Sequence, residues 1–131
     1  MSRLRCACLV HQRGSSLLLV RVRRNEHWYL PGGKIEHEES AEAALQRELA
    51  EELGIVLVPE SIRYLYTVVG PAYDQPVEVE LVCFAARWSG EPRALGEISE
   101  VRWIDRRDTA SLAPAVQVLC KEYLDREEKR A

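Results

Sequence analysis

Between Ser40 and Gly54 runs the stretch SAEAALQRELAEELG, built almost wholly from Ala, Glu, Leu, Gln and Arg, all strong helix formers. Ser40 stands where an N-cap oxygen is needed and Gly54 where a left-handed residue ends a helix, so the element is bounded from both sides. On a helical wheel with Leu45 at zero, Leu49 falls at about 40°, Leu53 at about 80° and Ala41 at about −40°, a stripe that must face a core. Glu52 falls at about −20°, inside that stripe, with Glu48 at about −60° and Glu51 at about −120° along its margin. Glu48 is spaced from Glu51 and Glu52 so that like charges repel, and all lie in the last turns, where the helix dipole disfavours anions. An exposed acidic face is one explanation, with Arg47 pairing Glu51 at i,i+4 and the other carboxylates left to water. A bound divalent cation is the other, since converging hard oxygens are what Mg²⁺ or Mn²⁺ require.

The elements around this helix are shorter. Leu4 to Val10 and Leu17 to Val22 are apolar runs separated by the turn HQRGSS, which predicts two paired strands. Trp28 to Leu30 is a brief extended piece stopped by PGG. After Gly54, strands are expected at Ile55 to Val58, Ile62 to Val69, Val77 to Trp88 and Val101 to Asp105, with GPAYDQP as a loop and a final helix from Leu112 to Glu128. Strands and helices interleave without a regular βαβ period, which favours an α/β or α+β sandwich on a mixed sheet over a doubly wound one.

At 131 residues, 47% hydrophobic and 30% charged, the chain is expected to form one domain over residues 1–131. A net charge of −3 offers no electrostatic footprint for long nucleic acid or an anionic membrane. Cys6, Cys8, Cys83 and Cys120 have neither zinc-site spacing nor the density of a disulfide framework, and read as core thiols in a reducing cytoplasm. The apolar run near the N-terminus is too short for a signal peptide or a membrane span.

Outward from the helix the residues read Gly33-x5-Glu39-x7-Arg47-Glu48-Leu49-x-Glu51-Glu52-x-Gly54-Ile55. This resembles, at every defined position, the Nudix box (residues 33–55) of the MutT-like hydrolases, and WYLPGGKIE before it and EISEVRWID after it resemble the flanking strands of the same fold. The resemblance implies a mixed β-sheet sandwiched between α-helices, and hydrolysis of a nucleoside diphosphate linked to another moiety X with Mg²⁺ or Mn²⁺. It also implies Glu48, Glu51 and Glu52 as metal ligands, joined by the carbonyl of Gly33. Arg47 would orient those carboxylates and Glu39 would brace the loop, while Gly54 closes the helix. A further acid comes from a loop before the late Trp-containing strand: Glu97 is preferred to Glu100 as ligand or base, because it lies in a Gly-flanked loop. Lys34 and Arg23 are candidates for phosphate contact, and Gly32 and Gly33 would allow close approach of backbone to metal and phosphate. One departure stands out: the small Gly usual before Glu39 is here Glu38. His11, His27 and His37 have no ligand spacing and read as surface or rim residues.

Substrate identity lies outside the box. Trp28, Tyr29, Tyr73 and Phe84 are candidates to stack on a base, with core packing the stronger expectation for Phe84 and for Trp103. The segment LAPAVQ lacks the Asn that 8-oxoguanine-sanitising relatives place after a similar Pro-Ala, and the short chain is expected to leave no room for the N-terminal region of ADP-ribose specialists. The expected reaction is cleavage of a nucleoside triphosphate, modified or damaged bases included, to monophosphate and pyrophosphate. A dinucleoside polyphosphate or nucleotide-sugar is the alternative substrate, and a non-catalytic nucleotide-binding regulatory module is the alternative of another class. A homodimer is left open.

Overall fold

The computed structural model describes residues 3–72 and 76–124. Its strands are β1 (Arg3–Leu9), β2 (Gln12–Arg13), β3 (Ser16–Val22) and β4 (Gly32–Lys34), followed by α1 (Ala41–Leu53). Then come β5 (Val56–Leu57), β6 (Arg63–Pro71), β7 (Glu78–Ala85), β8 (Trp88–Ser89), β9 (Ile98–Asp105) and α2 (Pro114–Leu119). One π-helical turn, Cys120–Leu124, prolongs α2.

The main sheet has the order β4-β1-β7-β6, with β1 and β7 parallel and the other neighbours antiparallel. A second sheet, β2-β3-β9, and the small pair β5-β8 complete the strands. Alternation along β1 and β7 assigns each face of the main sheet to one helix. Ala7, Leu9, Val82 and Phe84 pack with Leu45, Leu49 and Leu53 of α1, whereas Cys8, Leu81 and Cys83 pack with Leu112, Val116 and Leu119 around α2. Both strands alternate polar and apolar residues in their first halves and become continuous apolar runs only where both faces are covered, Ala7–Leu9 and Leu81–Phe84.

Several sequence expectations are corrected. The runs Leu4–Val10 and Leu17–Val22 do not pair: the turn at Gly14, φ +61°, joins β3 to the short β2, the other edge of β3 pairs with β9, and β1 joins the main sheet. The PGG segment does not merely stop an extended piece, because Gly32 and Gly33 themselves pair with β1. The run Val77–Trp88 breaks after Ala85, and Trp88 joins β5 instead. β9 starts at Ile98, earlier than Val101, since Ile98 and Glu100 pair with Val22 and Arg21. The last helix is helical only from Pro114, and its expected end at Glu128 lies outside the described residues, as does Tyr73.

The boundaries of α1 follow the sequence. The Ser40 hydroxyl accepts from the Ala43 N–H at 3.1 Å, and Gly54, at φ +67°, donates its N–H to the Ala50 carbonyl. No basic side chain stands in the last turn. Two of its orphan carbonyls are met instead by the loop before β9: Leu95 N–H donates to Glu52 O at 2.9 Å and Arg93 N–H to Leu53 O at 3.0 Å. That loop is thereby fastened to the acidic end of the helix.

Candidate active site

Helix α1 lies across β1 and β4, and the glycine pair on β4 makes this approach sterically feasible. A Cβ at Gly32 would lie 2.0 Å from the Ala7 carbonyl oxygen, and its φ of +140° is a conformation that other residues rarely adopt. The constraint there is β1 backbone, so packing by itself requires a glycine at position 32. Gly33 differs: a Cβ there would lie 2.3 Å from the Glu48 carboxyl carbon. The absent side chain is the space that the carboxylate of Glu48 occupies.

Arg47 organises the surrounding acids. Its guanidinium donates to Glu39 through Nε (2.8 Å) and Nη2 (2.9 Å), to Glu48 through Nη1 (2.7 Å) and to the Lys34 carbonyl (3.1 Å). Glu39 also accepts from the Glu36 N–H at 3.0 Å, which ties the loop ahead of the helix to the same guanidinium. These bonds, Arg47 first and the Glu36 amide second, lower the Glu39 pKa to about 2, and the carboxylates raise that of Arg47 above its ordinary value. Glu38, where the resemblance leads one to expect glycine, takes a left-handed φ of +66°. The loop keeps a glycine-like backbone there despite the larger residue.

The acidic residues are not equivalent. Ala44, at about −100° on the wheel, is fully buried, so the buried arc is wider than the leucine stripe indicated and Glu48 lies within it, not at its margin. The Glu48 side chain is only 16% exposed, against 62% for Glu51, whose carboxylate stands 3.7 Å from Arg47 Nη1. Glu52 is half-buried, and the Gly32 N–H donates to it over 3.4 Å. Burial, and next the charge of Glu48, push the Glu52 pKa up to about 8, so without a cation this site retains a proton.

Glu97 is fully outside this group: its side chain is exposed and its carboxylate accepts from Arg23 Nη2 at 3.2 Å. Glu100 instead binds Arg21 and Arg102 on the sheet surface. Lys34 is exposed and sits opposite Cys6 in the β1–β4 register. Among the described residues, no three acidic, histidine or cysteine side chains converge on one point. Glu48 and Glu52 come together, Glu51 stands at the same Arg47 Nη1 that binds Glu48, and Glu97 pairs with Arg23. Paired, partly desolvated hard-oxygen ligands, one protonated for want of a counter-charge, fit Mg²⁺ or Mn²⁺ chemically.

A cleft of about 250 Å³ opens beside the carboxylates, with Gly32, Gly33 and Glu52 at its polar end. Its walls are apolar and include Cys6 of β1, Val20 of β3, Leu81 of β7 and Ala115 and Val116 of α2. Of the aromatic candidates among the described residues, only Tyr29 lines it, its hydroxyl accepting from Asn25 at 2.7 Å. Trp28 and Phe84 are buried in the two cores, and Trp103 is not core but half-buried beneath the Arg13 guanidinium. The wall residues escaped the sequence reading because each looks like ordinary core. A usable signal was the spacing of Leu4, Cys6 and Cys8 on one strand face, all of which border the cleft.

Replacing Arg47 by Lys is expected to lower turnover by about 10–100-fold, the range for groups that orient metal-binding side chains, because an ammonium does not span Glu39, Glu48 and the Lys34 carbonyl at once. Steady-state kinetics on the folded variant check this; turnover equal to that of the parent would remove Arg47 from any orienting role.

A family model described as NUDIX domain matches residues 1–121. The chain is 30% identical over 108 residues to the uncharacterised Nudix hydrolase YvcI of Bacillus subtilis, covering 81% of this chain and 68% of the relative. It is 28% identical over 86 residues to an RNA pyrophosphohydrolase of Wolbachia pipientis, covering 63% of this chain and about half (49%) of that protein. The crystal structure of a MutT NUDIX hydrolase from Burkholderia pseudomallei superposes with a TM-score of 0.68 at 27% identity, covering 82% of this chain and 86% of the other.

Proposed function

The chain belongs to the Nudix hydrolase family, and on that premise we propose that it cleaves a nucleoside triphosphate, including forms with modified bases, to the monophosphate and pyrophosphate. The observation that carries this reading is a small apolar cleft ending on Glu52 and the glycines Gly32 and Gly33, with the Glu48 carboxylate packed against Gly33. At about 250 Å³ the cleft is at the small end of ligand pockets, which run to about 1,000 Å³. That size suits one base better than the two of a dinucleoside polyphosphate. The relative named RNA pyrophosphohydrolase supports cleavage of a pyrophosphate bond.

Glu48, Glu51, Glu52 and Glu97, with the Gly33 carbonyl, would hold Mg²⁺ or Mn²⁺; when bound, the ion supplies neutralisation of phosphate charge and acidification of water. The chain's own contribution is placement. Val20, Leu81 and Tyr29 enclose the base, which directs the phosphates towards Glu52 and the glycine pair. Lys34 and Arg23 offer cations to the phosphate oxygens. Arg47 fixes Glu48 against Gly33 and resists its rotation. The attacking water's oxygen forms a bond to phosphorus, the bridging P–O bond breaks, and the water's proton passes to an ionised carboxylate. The free thiols of Cys6, Cys8, Cys83 and Cys120 suit a reducing cytoplasm.

A panel of nucleoside triphosphates, dinucleoside polyphosphates and nucleotide-sugars, assayed with Mg²⁺ and with Mn²⁺, tests this. Metal-dependent release of pyrophosphate from a triphosphate is expected. Turnover confined to the other classes would overturn the substrate, and tight metal-independent binding without turnover of any member would make the protein a nucleotide-binding module.

A further inference from the structure

We propose that Arg23 and Glu97 form a latch: in the nucleotide-free protein each neutralises the other, and Glu97 becomes available to the metal when a substrate phosphate draws Arg23 away. The proposal rests on the reading of Glu97 as a metal ligand.

Two observations separate backbone from side chains here. The backbones of the two residues are fastened together, Arg23 N–H donating to the Glu97 carbonyl at 2.9 Å where the β3–β9 register shifts at Arg21 and Val22. Arg23 itself takes a left-handed φ of +47°, which turns it out of β3 toward the Glu97 loop. That loop is in turn bound to the end of α1 through Leu95 and the Glu52 carbonyl. The position of Glu97 relative to the helix is therefore set by main chain. The side-chain pair, by contrast, is 71% and 69% exposed at 3.2 Å, and an ion pair of that kind is inexpensive to open. Val22 and Ile98, the neighbours of Arg23 and Glu97, both border the cleft. A phosphate at the polar end of the cleft thus competes with Glu97 for Arg23, while a cation competes with Arg23 for Glu97. Each exchange favours the other, so nucleotide and metal bind cooperatively through the breaking of one surface pair.

The test is Mn²⁺ affinity of the nucleotide-free protein, measured by electron paramagnetic resonance or calorimetry, for the parent, Arg23→Gln, Glu97→Gln and the double variant. Arg23→Gln is expected to tighten Mn²⁺ binding by up to about fivefold, the range allowed by an exposed pair. Glu97→Gln is expected to weaken it, and adding Arg23→Gln to Glu97→Gln is expected to change nothing further. Unchanged or weaker binding by Arg23→Gln would overturn the latch. So would equal tightening in the Glu97→Gln background, since that would be the field of a lost cation alone. If Glu97→Gln leaves the affinity of the parent intact, Glu97 is not a ligand and the latch falls with that assignment, while Glu48 and Glu52 keep theirs.

Discussion

Glu52→Gln should nearly abolish hydrolysis and yet make the metal-free protein more stable at alkaline pH. The first effect follows from placing a neutral amide where the cleft ends; losing one such electrostatic group costs about a hundredfold or more in turnover. The second follows from linkage. Burial and the neighbouring Glu48 raise the Glu52 pKa from 4.5 to about 8 in the folded chain. Below pH 4.5 the group is protonated in both states and costs nothing. Between there and about pH 8 the unfolded chain has released the proton and the folded one has not, so stability falls as pH rises and stays low above. Gln carries no such proton, and the fall should vanish. The side chain is partly open to solvent and Glu48 shares the burden, so roughly 1–3 kcal/mol is the expected difference at pH 9. Thermal melts in a chelator from pH 5 to 9 measure it, and Mg²⁺ should restore the parent selectively. Identical pH slopes for parent and variant would show that Glu52 is not held in a strained, partly desolvated state.

The two adjacent glycines should fail in different ways. Gly32→Ala drives a Cβ to 2.0 Å from the Ala7 carbonyl oxygen and 2.9 Å from the Cys8 Cα, with φ at +140°. Those are backbone atoms of the central strand, and a loss of about 3 kcal/mol or more is expected. Gly33→Ala meets the Glu48 side chain, whose displacement breaks its bond to Arg47 but moves no backbone. That variant should keep its melting temperature within a few degrees and lose turnover. Denaturant titration beside kinetics separates the two; a destabilised Gly33→Ala, or a fully stable Gly32→Ala, would contradict the packing described.

Helix α1 was legible because its determinants are local. Ser40, the Leu45-Leu49-Leu53 spacing and Gly54 act within one turn of where they stand, and the wheel located Glu52 inside the stripe without knowing what the stripe faces. The partners of β1 and β3 were not legible, because strand pairing is a long-range choice and both runs are apolar on both faces. The wheel sets Glu48 too near the surface because Ala44, though fully buried, is too small to weigh in a hydrophobic stripe.

What the chain carries in its order of residues is the helix, its caps and a spacing of acids that a cation would neutralise. What tertiary structure alone decided is how those acids differ. Glu48 occupies the space left by Gly33, Glu52 keeps a proton beside it, Glu51 faces Arg47 from solvent, and Glu97 is held by Arg23. The same decision made a cleft from Cys6, Val20, Leu81 and Val116, residues far apart in the chain and unremarkable in composition. The reason is physical: spacing along one helix sets direction, but burial and charge at a carboxylate depend on which distant strand is packed against it.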